Sequence, residues 1–313
     1  MPVEVPVEKW AGKVNEVKLG GNGRKSIVIG GQNTLPFLKT DGAMPHRPAV
    51  AVEVDDAIPA DWAPHLQAAW GDVLKDPGAW AKKAAEYGAD IIALTLDSAH
   101  PERGNTGAEQ AKRTIEKVLA AVDLPVIVIG PEVAEKDNEV LIAASSAGRG
   151  QHLALGNCVD KNYRSIAAAC IADGHVAIAK TPIDINLAKQ LNILICDIGV
   201  APDAIIMDPT TGGLGYGLEY TYSVMERLRM AALIGDKMTS MPMICNVGEE
   251  SWRQKEAKAT SGVPATWGDL QERALAWESL TGISLLNSGA DIVVLQHPRT
   301  IALIKDAISK LMA

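Results

Sequence analysis

The sequence is poor in aromatic residues and in cysteine. Only one of its 313 residues is phenylalanine, and aromatic residues make up 4% of the chain. A buried core must therefore be packed with Ala, Val, Ile, Leu and Met. The four cysteines are widely spaced and none forms a Cys-x-x-Cys pair, so the sequence offers no local framework for an iron–sulfur or zinc site. We interpret all four as isolated buried thiols. They are Cys158, Cys170, Cys196 and Cys245.

Long apolar runs and an excess of positive charge are also missing. No apolar run approaches the roughly 18–20 residues that a membrane helix needs. The first residues lack the basic segment and apolar core of a secretory signal. The formal net charge of −8 argues against a nucleic-acid surface, which requires clustered Lys and Arg. We therefore expect a cytoplasmic protein that binds neither nucleic acid nor a membrane.

What the chain does contain is a series of eight short apolar runs, nearly all of which stop at a polar side chain. They span residues 49–54, 91–96, 126–129, 153–155, 176–179, 205–207, 243–245 and 292–295. Runs of this length that are apolar on both faces are typical of strands in a parallel sheet. Eight such strands with helical segments between them predict an α/β fold, a (β/α)8 TIM barrel that spans residues 1–313 as a single domain. The carboxyl ends of the strands then form the functional mouth.

Residues 1–48 precede the first predicted strand and contain a candidate hairpin. The segments 14–19 and 26–30 are strand-like and flank the sequence GGNGRK. This stretch is a poor phosphate loop, because Arg24 separates Gly23 from Lys25 and a strand follows instead of a helix. Asn22-Gly23 favours a tight turn with two positive φ angles. We expect an N-terminal β-hairpin that plugs the base of the barrel.

The residues that follow the predicted strands are rich in amides, hydroxyls and carboxylates. They are Glu53, Asp55, Asp56, Asp97, Ser98, Asn157, Lys180, Thr181, Asp208, Thr210, Thr211, Asn246, Glu249, Gln296 and His297. Lys180 could form a Schiff base, as in an aldolase, or pair with Asp208 or Asp97 across the mouth. His297 lacks a second imidazole nearby, which favours a structural role over metal binding. His152 and His175, at strand starts, are interpreted as structural.

The most informative segment is DPTTGGLGYGLE, residues 208–219, with four glycines within six residues. Such a loop lets a backbone approach a large ligand closely. It could cradle a phosphate, although no Lys or Arg accompanies it, or it could be a lid without a ligand. A flat, uncharged ligand ringed with amides suits it better. From position in the fold, the candidate ligand-binding residues are Asn157, Asp208, Thr210, Thr211, Gly212, Gly213, Leu214, Gly215, Tyr216, Gly217, Asn246 and Gln296.

Three phrases give the chain a family resemblance. Residues 208–219 run into YTYSVMERLRM at 220–230, and LPVIVIG at 124–130 is followed by EKD at 135–137. In these phrases and their order the chain closely resembles the small (delta) subunit of the corrinoid iron–sulfur protein, which belongs to the carbon monoxide dehydrogenase/acetyl-CoA synthase pathway. The resemblance extends over the whole chain, including the hairpin.

The resemblance implies a barrel that pairs with a large subunit and holds a corrinoid, a cobamide, between its mouth and that partner. It implies a non-catalytic methyl carrier, whose methyl group comes from methyltetrahydrofolate through a separate methyltransferase and goes to acetyl-CoA synthase. The [4Fe-4S] cluster would lie on the large subunit, not on this chain. A neutral hydrogen-bonding mouth would grip the corrin amides and leave the cobalt free.

Two other functions fit the same mouth. A pterin-dependent methyltransferase could use Asp97, Asn157, Asp208 and Asn246 to bind the pterin ring. An aldolase would use Lys180. Because the amide-rich mouth of a barrel suits each of them, the sequence leaves all three open.

Overall fold

The computed structural model describes residues 6–313, and the chain begins there with a small hairpin before the barrel. Strands β1 (Glu16–Gly20) and β2 (Ser26–Gly30) pair antiparallel, with Gly20 opposite Ser26. The predicted hairpin is therefore confirmed. Within its five-residue loop the expected tight turn at Asn22-Gly23 is also present, because both residues have positive φ and Arg24 N donates to Gly21 O at 3.1 Å.

All eight predicted barrel strands are present. They are β3 (Ala49–Asp55), β4 (Ile91–Thr95), β5 (Val126–Ile129), β6 (Ala154–Cys158), β7 (Val176–Lys180), β8 (Ile205–Asp208), β9 (Ile244–Cys245) and β10 (Ile292–Leu295). They form one parallel sheet in the order β8-β7-β6-β5-β4-β3-β10-β9. A bridge between Met207 and Met243 joins the two edges. The fold is thus the predicted α/β barrel.

Helices follow the strands and surround the barrel. They are α1 (Pro64–Trp70), α2 (Pro77–Glu86), α3 (Ala108–Ala121), α4 (Ala134–Ala147), α5 (Tyr163–Asp173), α6 (Ile185–Ile198), α7 (Leu218–Leu233), α8 (Val247–Arg253), α9 (Lys255–Lys258), α10 (Leu270–Asn287) and α11 (Pro298–Met312). Helix α7 begins directly after the glycine-rich segment, and the long connection between β9 and α10 contains the two short helices α8 and α9.

The barrel interior is a separate apolar layer, which the hairpin closes from below. Inward-facing residues such as Ala51, Ile91 and Ile206 form one buried cluster with Val17, Leu19 and Ile29 of the hairpin. Gly20 N donates to His152 O, just before β6, at 3.0 Å. The hairpin therefore lies at the amino-terminal end of the strands, as predicted, and leaves the opposite end for the functional mouth.

Two equivalent phrases end helices and start strands. Gly88 and Gly289 have φ of 96° and 111°, in the left-handed region that glycine commonly adopts at the end of a helix. Each is followed by an aspartate that accepts a hydrogen bond from a neighbouring strand. Asp90 Oδ2 accepts from Val50 N at 3.0 Å, and Asp291 Oδ2 accepts from Met243 N at 2.8 Å. The repeated Gly-Ala-Asp sequence thus joins neighbouring strands by hydrogen bonds at the amino-terminal end of the barrel.

Candidate functional site at the barrel mouth

Side-chain alternation along the strands determines which polar groups enter the mouth. Ala49 and Ala51 face the barrel interior, so Glu53 and Asp55 on the same strand also point inward. By the same alternation, inward-facing Ile178, Ile206, Ile244 and Val294 are followed by Lys180, Asp208, Asn246 and Gln296. The polar residues at these strand ends therefore converge above the apolar interior.

A central cavity of about 410 Å³ occupies the middle of the mouth. Ala93, Ile129 and Val294 belong to its apolar lining, and Trp62 and Trp252 also line it. Its polar lining consists of Glu53, Asp55, Asp61, Thr95, Asp97, His100, Arg103, Glu132, Asn246, Glu249, Arg253, Lys258 and Gln296. Its volume lies in the range typical of small-molecule sites.

Two inward carboxyl groups of β3 have raised pKa values. The pKa of Glu53 is raised to about 8, mainly by burial and then by the nearby charge of Glu249, while a hydrogen bond from Gln296 lowers it. Burial also raises the pKa of Asp55 well above its usual value, with Glu53 as the next cause. The mouth is therefore less negative near pH 7 than its composition suggests.

Gln296 is fixed in place by its backbone. Its N–H donates to Glu278 Oε1 at 2.6 Å, and its carbonyl accepts from Trp70 Nε1 at 2.8 Å. Its side-chain Nε2 donates to Glu53 Oε2 at 2.9 Å. Gln296 Oε1 is buried and has no hydrogen-bond partner among residues 6–313. The side chain thus offers one free acceptor at the mouth.

A polar network crosses the mouth from β6 to β9. Asn157 Nδ2 donates to Glu132 Oε1 at 3.0 Å, and Lys180 Nζ contacts the same carboxylate. Asn246 Nδ2 donates to Asp208 Oδ2 at 3.1 Å. The predicted ion pair of Lys180 with Asp208 or Asp97 is thus wrong in its partner. Glu132, which lies three residues after the end of β5, contacts the ammonium instead.

The pKa values of Asp208 and Lys180 in this network depend on both burial and neighbouring charges. Burial raises the pKa of Asp208 to about 6, although Lys180 lowers it. Burial lowers the pKa of Lys180, but Asp208 and Glu132 outweigh it, so the pKa lies above its usual value. A Schiff-base lysine needs a lowered pKa. Lys180 is therefore better suited to an ion pair than to aldolase chemistry.

A side groove of about 740 Å³ lies beyond this network, next to α6. Asn157, Lys180, Thr181 and Thr210 are part of its polar lining, and Leu187, Leu191 and Leu194 are part of its apolar wall. Asn157 Oδ1 and Thr181 Oγ1 are buried without partners among the described residues. The groove thus combines free hydrogen-bonding atoms with an apolar wall.

Residues 209–217, the glycine loop, use much of their backbone internally. Gly217 N donates to Gly213 O at 2.7 Å, and Leu214 N donates to Glu250 Oε1 at 3.0 Å. Leu214 is buried, whereas Tyr216 is 83% exposed. Gly212–Gly217 line neither the central cavity nor the side groove. The loop therefore presents an aromatic side chain to solvent, and these two N–H groups are engaged within the protein.

The structure divides the predicted site residues into three groups. Asn246 and Gln296 line the central cavity, and Asn157 and Thr210 line the side groove. Asp208 joins the two groups through Asn246 and Lys180. The third group lies outside both cavities and comprises Thr211, Gly212, Gly213, Leu214, Gly215, Tyr216 and Gly217. Glu132, Trp62 and Trp252 were missed. Glu132 and Trp62 lie in loops and Trp252 lies on α8, so none of them directly follows a strand.

The remaining acids at the rim fasten loops to one another. Ser98 donates to Asp56 through both its backbone N (2.7 Å) and its Oγ (2.5 Å). Arg103 contacts Asp97. These contacts connect the loops after β3 and β4. They support the structural alternative for these carboxylates, and Asp97 lies apart from the Asn157–Asp208–Asn246 network.

The histidines and cysteines have structural environments. His297 Nδ1 accepts from Arg299 N at 3.1 Å and caps α11, and burial lowers its pKa to about 4. His175 Nδ1 accepts from Leu153 N at 3.2 Å. Three of the four cysteines are buried and Cys196 is half-buried. Among residues 6–313 no three His, Cys, Asp or Glu side chains come together to hold a metal ion.

Sequence comparison places the chain in a family. Residues 16–306 match the family model described as CO dehydrogenase/acetyl-CoA synthase delta subunit. The chain is 36% identical over 311 residues to acetyl-CoA decarbonylase/synthase complex subunit delta 2 of Methanosarcina acetivorans, covering 96% of this chain and 71% of that protein. It is 35% identical to the delta subunit of Methanothermobacter thermautotrophicus, covering 96% and 76%. The chain belongs to the CO dehydrogenase/acetyl-CoA synthase delta subunit family, which confirms the resemblance seen in its sequence.

Solved structures agree on the fold. Dihydropteroate synthase of Xanthomonas albilineans in complex with 7,8-dihydropteroate aligns with a TM-score of 0.57 at 16% identity, covering 86% of this chain and 94% of that one. The enzyme from Coxiella burnetii in complex with pteroic acid aligns with a TM-score of 0.56 at 13% identity, covering 88% and 98%. At this identity the similarity concerns the barrel alone.

No helix within residues 6–313 has the length and apolarity to span a bilayer.

Proposed function

We propose that this chain is the small subunit of a heterodimeric corrinoid iron–sulfur methyl carrier in the cytoplasm. It holds a cobamide between its barrel mouth and a large subunit that carries a [4Fe-4S] cluster. The methyl group comes from methyltetrahydrofolate through a separate methyltransferase and goes to acetyl-CoA synthase, in the reductive acetyl-CoA pathway. The observation that carries the proposal is the match over residues 16–306 to a delta-subunit family, whose relatives are named as subunits of acetyl-CoA decarbonylase/synthase complexes.

The chemistry of the mouth fits a corrinoid, whose rim bears neutral amides. Asn157 Oδ1, Thr181 Oγ1 and Gln296 Oε1 are buried without partners in the described part of the chain, and such atoms are satisfied when a ligand supplies the missing hydrogen bonds. Burial raises the pKa of Glu53 to about 8 and that of Asp55 well above its usual value, so Glu53 is mostly neutral at pH 7. When bound, the corrinoid supplies a cobalt that takes up and releases the methyl group. The residues of this chain would bind and orient the macrocycle and exclude water from it.

The assignment of ligand contacts follows the geometry. Asn157 and Thr210 would bind corrin amides at the side groove, and Asn246 and Gln296 would do so at the central cavity. Asp208 would hold Asn246 in orientation through their hydrogen bond. From the glycine loop, the exposed Tyr216 would pack on the ligand or on the partner, whereas Leu214 supports the loop from within.

The partner is proposed to cover the mouth and to provide the iron–sulfur cluster. Tyr216 and Tyr220 are 83% and 67% exposed at the end of α7 that faces the mouth, and exposed tyrosines are enriched at interfaces. The cysteines of this chain do not fit a cluster. Burial raises the pKa of Cys158, Cys170 and Cys245, which opposes the thiolate form that a cluster requires.

Anaerobic copurification with the large subunit tests the proposal. The native pair should carry bound corrinoid, visible in its absorption spectrum. Thr210→Trp, which fills the side groove and removes the 2.6 Å bond to Thr181 O, should lower the cobalt content severalfold. Tyr216→Ala should do so without affecting folding, because that side chain is exposed. Ile234→Ala is the matched control, since Ile234 is exposed at the opposite end of α7. Unchanged cobalt content in both mouth variants would contradict the proposed seat.

A second candidate is a pterin-dependent methyltransferase, and the polar network favours it specifically. Three of the four side chains that the sequence offered for a pterin, Asn157, Asp208 and Asn246, lie along one network with Glu132 and Lys180. The isolated chain would then transfer methyl groups from methyltetrahydrofolate to free cobalamin. A carrier subunit should be inert in that assay, so turnover by the isolated chain would favour the methyltransferase.

A further inference from the structure

A cavity on the flank of the barrel, the outer pocket, has no role in the proposed function. Its volume is about 560 Å³, within the range typical of small-molecule sites. Its lining comes from α1, α10 and α11, from Tyr87 at the end of α2 and from Trp252 on α8. Among the described residues, Trp252 is the only one that also lines the central cavity, and none lines the side groove. The outer pocket is therefore a separate cavity.

The outer pocket differs from the mouth in the charge of its lining. Six Asp and Glu side chains line the central cavity, whereas within residues 6–313 no carboxylate lines the outer pocket. Its lining includes instead Arg299, His65 and His297. Glu272 pairs with Arg299 at 2.8 Å, but the two side chains are 64% and 59% exposed, and exposed pairs contribute little. In a chain with a net charge of −8, this lining favours an anion.

His297 contributes a neutral hydrogen-bond donor to the wall of the outer pocket. Its Nδ1 accepts from Arg299 N at 3.1 Å, so the proton of the neutral ring is on Nε2. Burial lowers the pKa of His297 to about 4, and the ring is therefore neutral at pH 7. It stacks on Trp252 with the ring centroids 5.8 Å apart and the planes 12° from parallel. The position of the donor is thus fixed by both contacts.

His65 contributes a second imidazole, one nitrogen of which has no partner. Its ring centroid lies 5.3 Å from that of Trp252. Nε2 of His65 is buried and makes no hydrogen bond within residues 6–313. A buried polar atom without a partner is rare in native proteins, and a ligand head group beside this ring would satisfy it.

Small apolar side chains form much of the remaining lining. Ala68 and Ala69 come from α1, and Ala302 comes from α11. We call these three residues the alanine wall. Leu275 of α10 adds further apolar surface. Because burial of apolar surface is favourable, the alanine wall suits an aliphatic chain.

We propose that the outer pocket binds a small aliphatic monocarboxylate. Its carboxylate accepts hydrogen bonds from His297 and Arg299 beside His65, and its chain packs on the alanine wall. This site is independent of the corrinoid proposal.

The two imidazoles give binding a measurable signature. Burial lowers the pKa of each ring in the unliganded chain. The charged groups that face His65 are Arg273 and Asp269. Those that face His297 are Arg299 and Glu272. A bound carboxylate favours the protonated imidazole, so binding at pH 6 should take up part of a proton, and affinity should be higher at pH 6 than at pH 8.

Isothermal titration calorimetry of the full chain tests the inference. The probe is hexanoate, and hexanamide, which has the same shape without the charge, is its matched control. We expect hexanoate to bind about tenfold or more tightly than hexanamide, because hydrogen bonds to a charged group are the stronger ones. Repeating the titration at pH 6 in buffers of different ionisation enthalpy measures the proton uptake.

Two substitutions of His297 separate its donor from its role as a helix cap. His297→Asn keeps a side-chain acceptor for Arg299 N but removes the distal N–H, so it should weaken hexanoate binding severalfold. His297→Gln keeps a distal N–H donor and should bind more tightly than His297→Asn, whereas a purely structural role predicts the reverse. Circular dichroism melts show whether each variant is folded.

A second pair of variants tests the cation. Arg299→Gln should weaken hexanoate binding severalfold. Arg164→Gln, which removes an exposed arginine beside Tyr163 on α5, is the matched control and should bind like the native chain.

Three outcomes would overturn the inference. They are equal affinity for hexanoate and hexanamide, undiminished hexanoate binding by folded His297→Asn and Arg299→Gln, and no binding of hexanoate at millimolar concentration. The first and third use the native chain alone, so they decide the matter even if a variant does not fold. None of them affects the corrinoid proposal, which is tested by cobalt content in the two-subunit complex.

Discussion

Asn246 donates a 3.1 Å hydrogen bond from Nδ2 to Oδ2 of Asp208, across the seam where the barrel closes. Asp208 ends β8, and Asn246 follows the two-residue strand β9. Below them the seam is joined by the Met207–Met243 bridge and by the bond from Met207 N to Pro242 O. The side-chain bond therefore reinforces a short joint of the sheet, and it orients an amide that lines the central cavity.

Replacing Asn246 by leucine should raise the pKa of Asp208 above its value of about 6. The change removes a donor from a buried carboxylate, which favours the neutral acid. Stability should fall by about 1 kcal/mol, the usual net value of one hydrogen bond. Carbon-detected NMR titration of Asp208 measures the pKa. Asn287→Leu, at the exposed end of α10, is the control, and an unshifted Asp208 in Asn246→Leu would contradict the coupling.

Lys180→Met should raise the pKa of Asp208 more strongly than Asn246→Leu does. Lys180 is the main group lowering the pKa of Asp208, so its loss should move that pKa further upward. We expect a loss of about 1–3 kcal/mol in urea unfolding, because a hydrogen-bonded ion pair to Glu132 disappears in a partly buried setting. Lys189→Met, whose partner Asp236 lies outside the mouth, should lose less than about 1 kcal/mol. Equal losses of stability in Lys180→Met and Lys189→Met would contradict the stronger role assigned to Lys180.

The stability of the protein should decrease with rising pH because of Glu53. Its folded pKa of about 8 lies above the ordinary value of 4.5, so the folded state binds more protons than the unfolded state between these two values. This contribution is fully present below pH 4.5 and is lost as pH rises through about 8. Within this window the slope is about −1.4 kcal/mol per pH unit for each proton of difference.

Urea unfolding at pH 5, 6, 7 and 8 checks this dependence. Glu53→Gln leaves the neighbouring carboxyl groups unchanged, so some pH dependence of stability will remain. These groups are Asp55, Asp61, Glu249 and Glu278. The variant should still have a shallower slope than the native chain. Parallel curves for the two proteins would show that Glu53 is not the proton-binding group.

The buried pair of Arg229 and Asp291 should be a major determinant of stability. Arg229 Nη2 lies 2.8 Å from Asp291 Oδ2 and also donates to Gly289 O. Asp291 accepts further bonds from Gln32 and from Met243 N. Arg229→Met should cost about 3–5 kcal/mol, since it leaves an uncompensated buried charge. Arg229→Met with Asp291→Asn should recover part of that loss in denaturant unfolding, and no recovery would argue against charge as the cause.

The strands and their ends could be predicted because their signal is local. Eight apolar runs specify eight buried strands, and the barrel then brings their carboxyl ends to one mouth. The alternation of side chains along each strand then determines which residues point inward. Asp208, Asn246 and Gln296 could therefore be assigned to the mouth from their positions alone.

The contacts across the mouth could not be predicted in the same way. Glu132 reaches Lys180 from a loop 48 residues away in sequence, and no spacing rule relates two strand-end loops. The internal contacts of the glycine loop could not be predicted either. Glu250 of α8 accepts a hydrogen bond from Leu214 N, and only the packed structure brings that acid near the loop. The protonation of Glu53 depends on burial, which composition does not reveal.

Hydrogen–deuterium exchange on the two-subunit complex, with and without corrinoid, tests the central claim most directly. If the mouth seats the macrocycle, amides of residues 157–161 and 209–217 should exchange more slowly in the loaded complex, while the hairpin loop at 21–25 should keep its rate. Slower exchange confined to the hairpin end, or identical rates throughout this chain, would contradict the account.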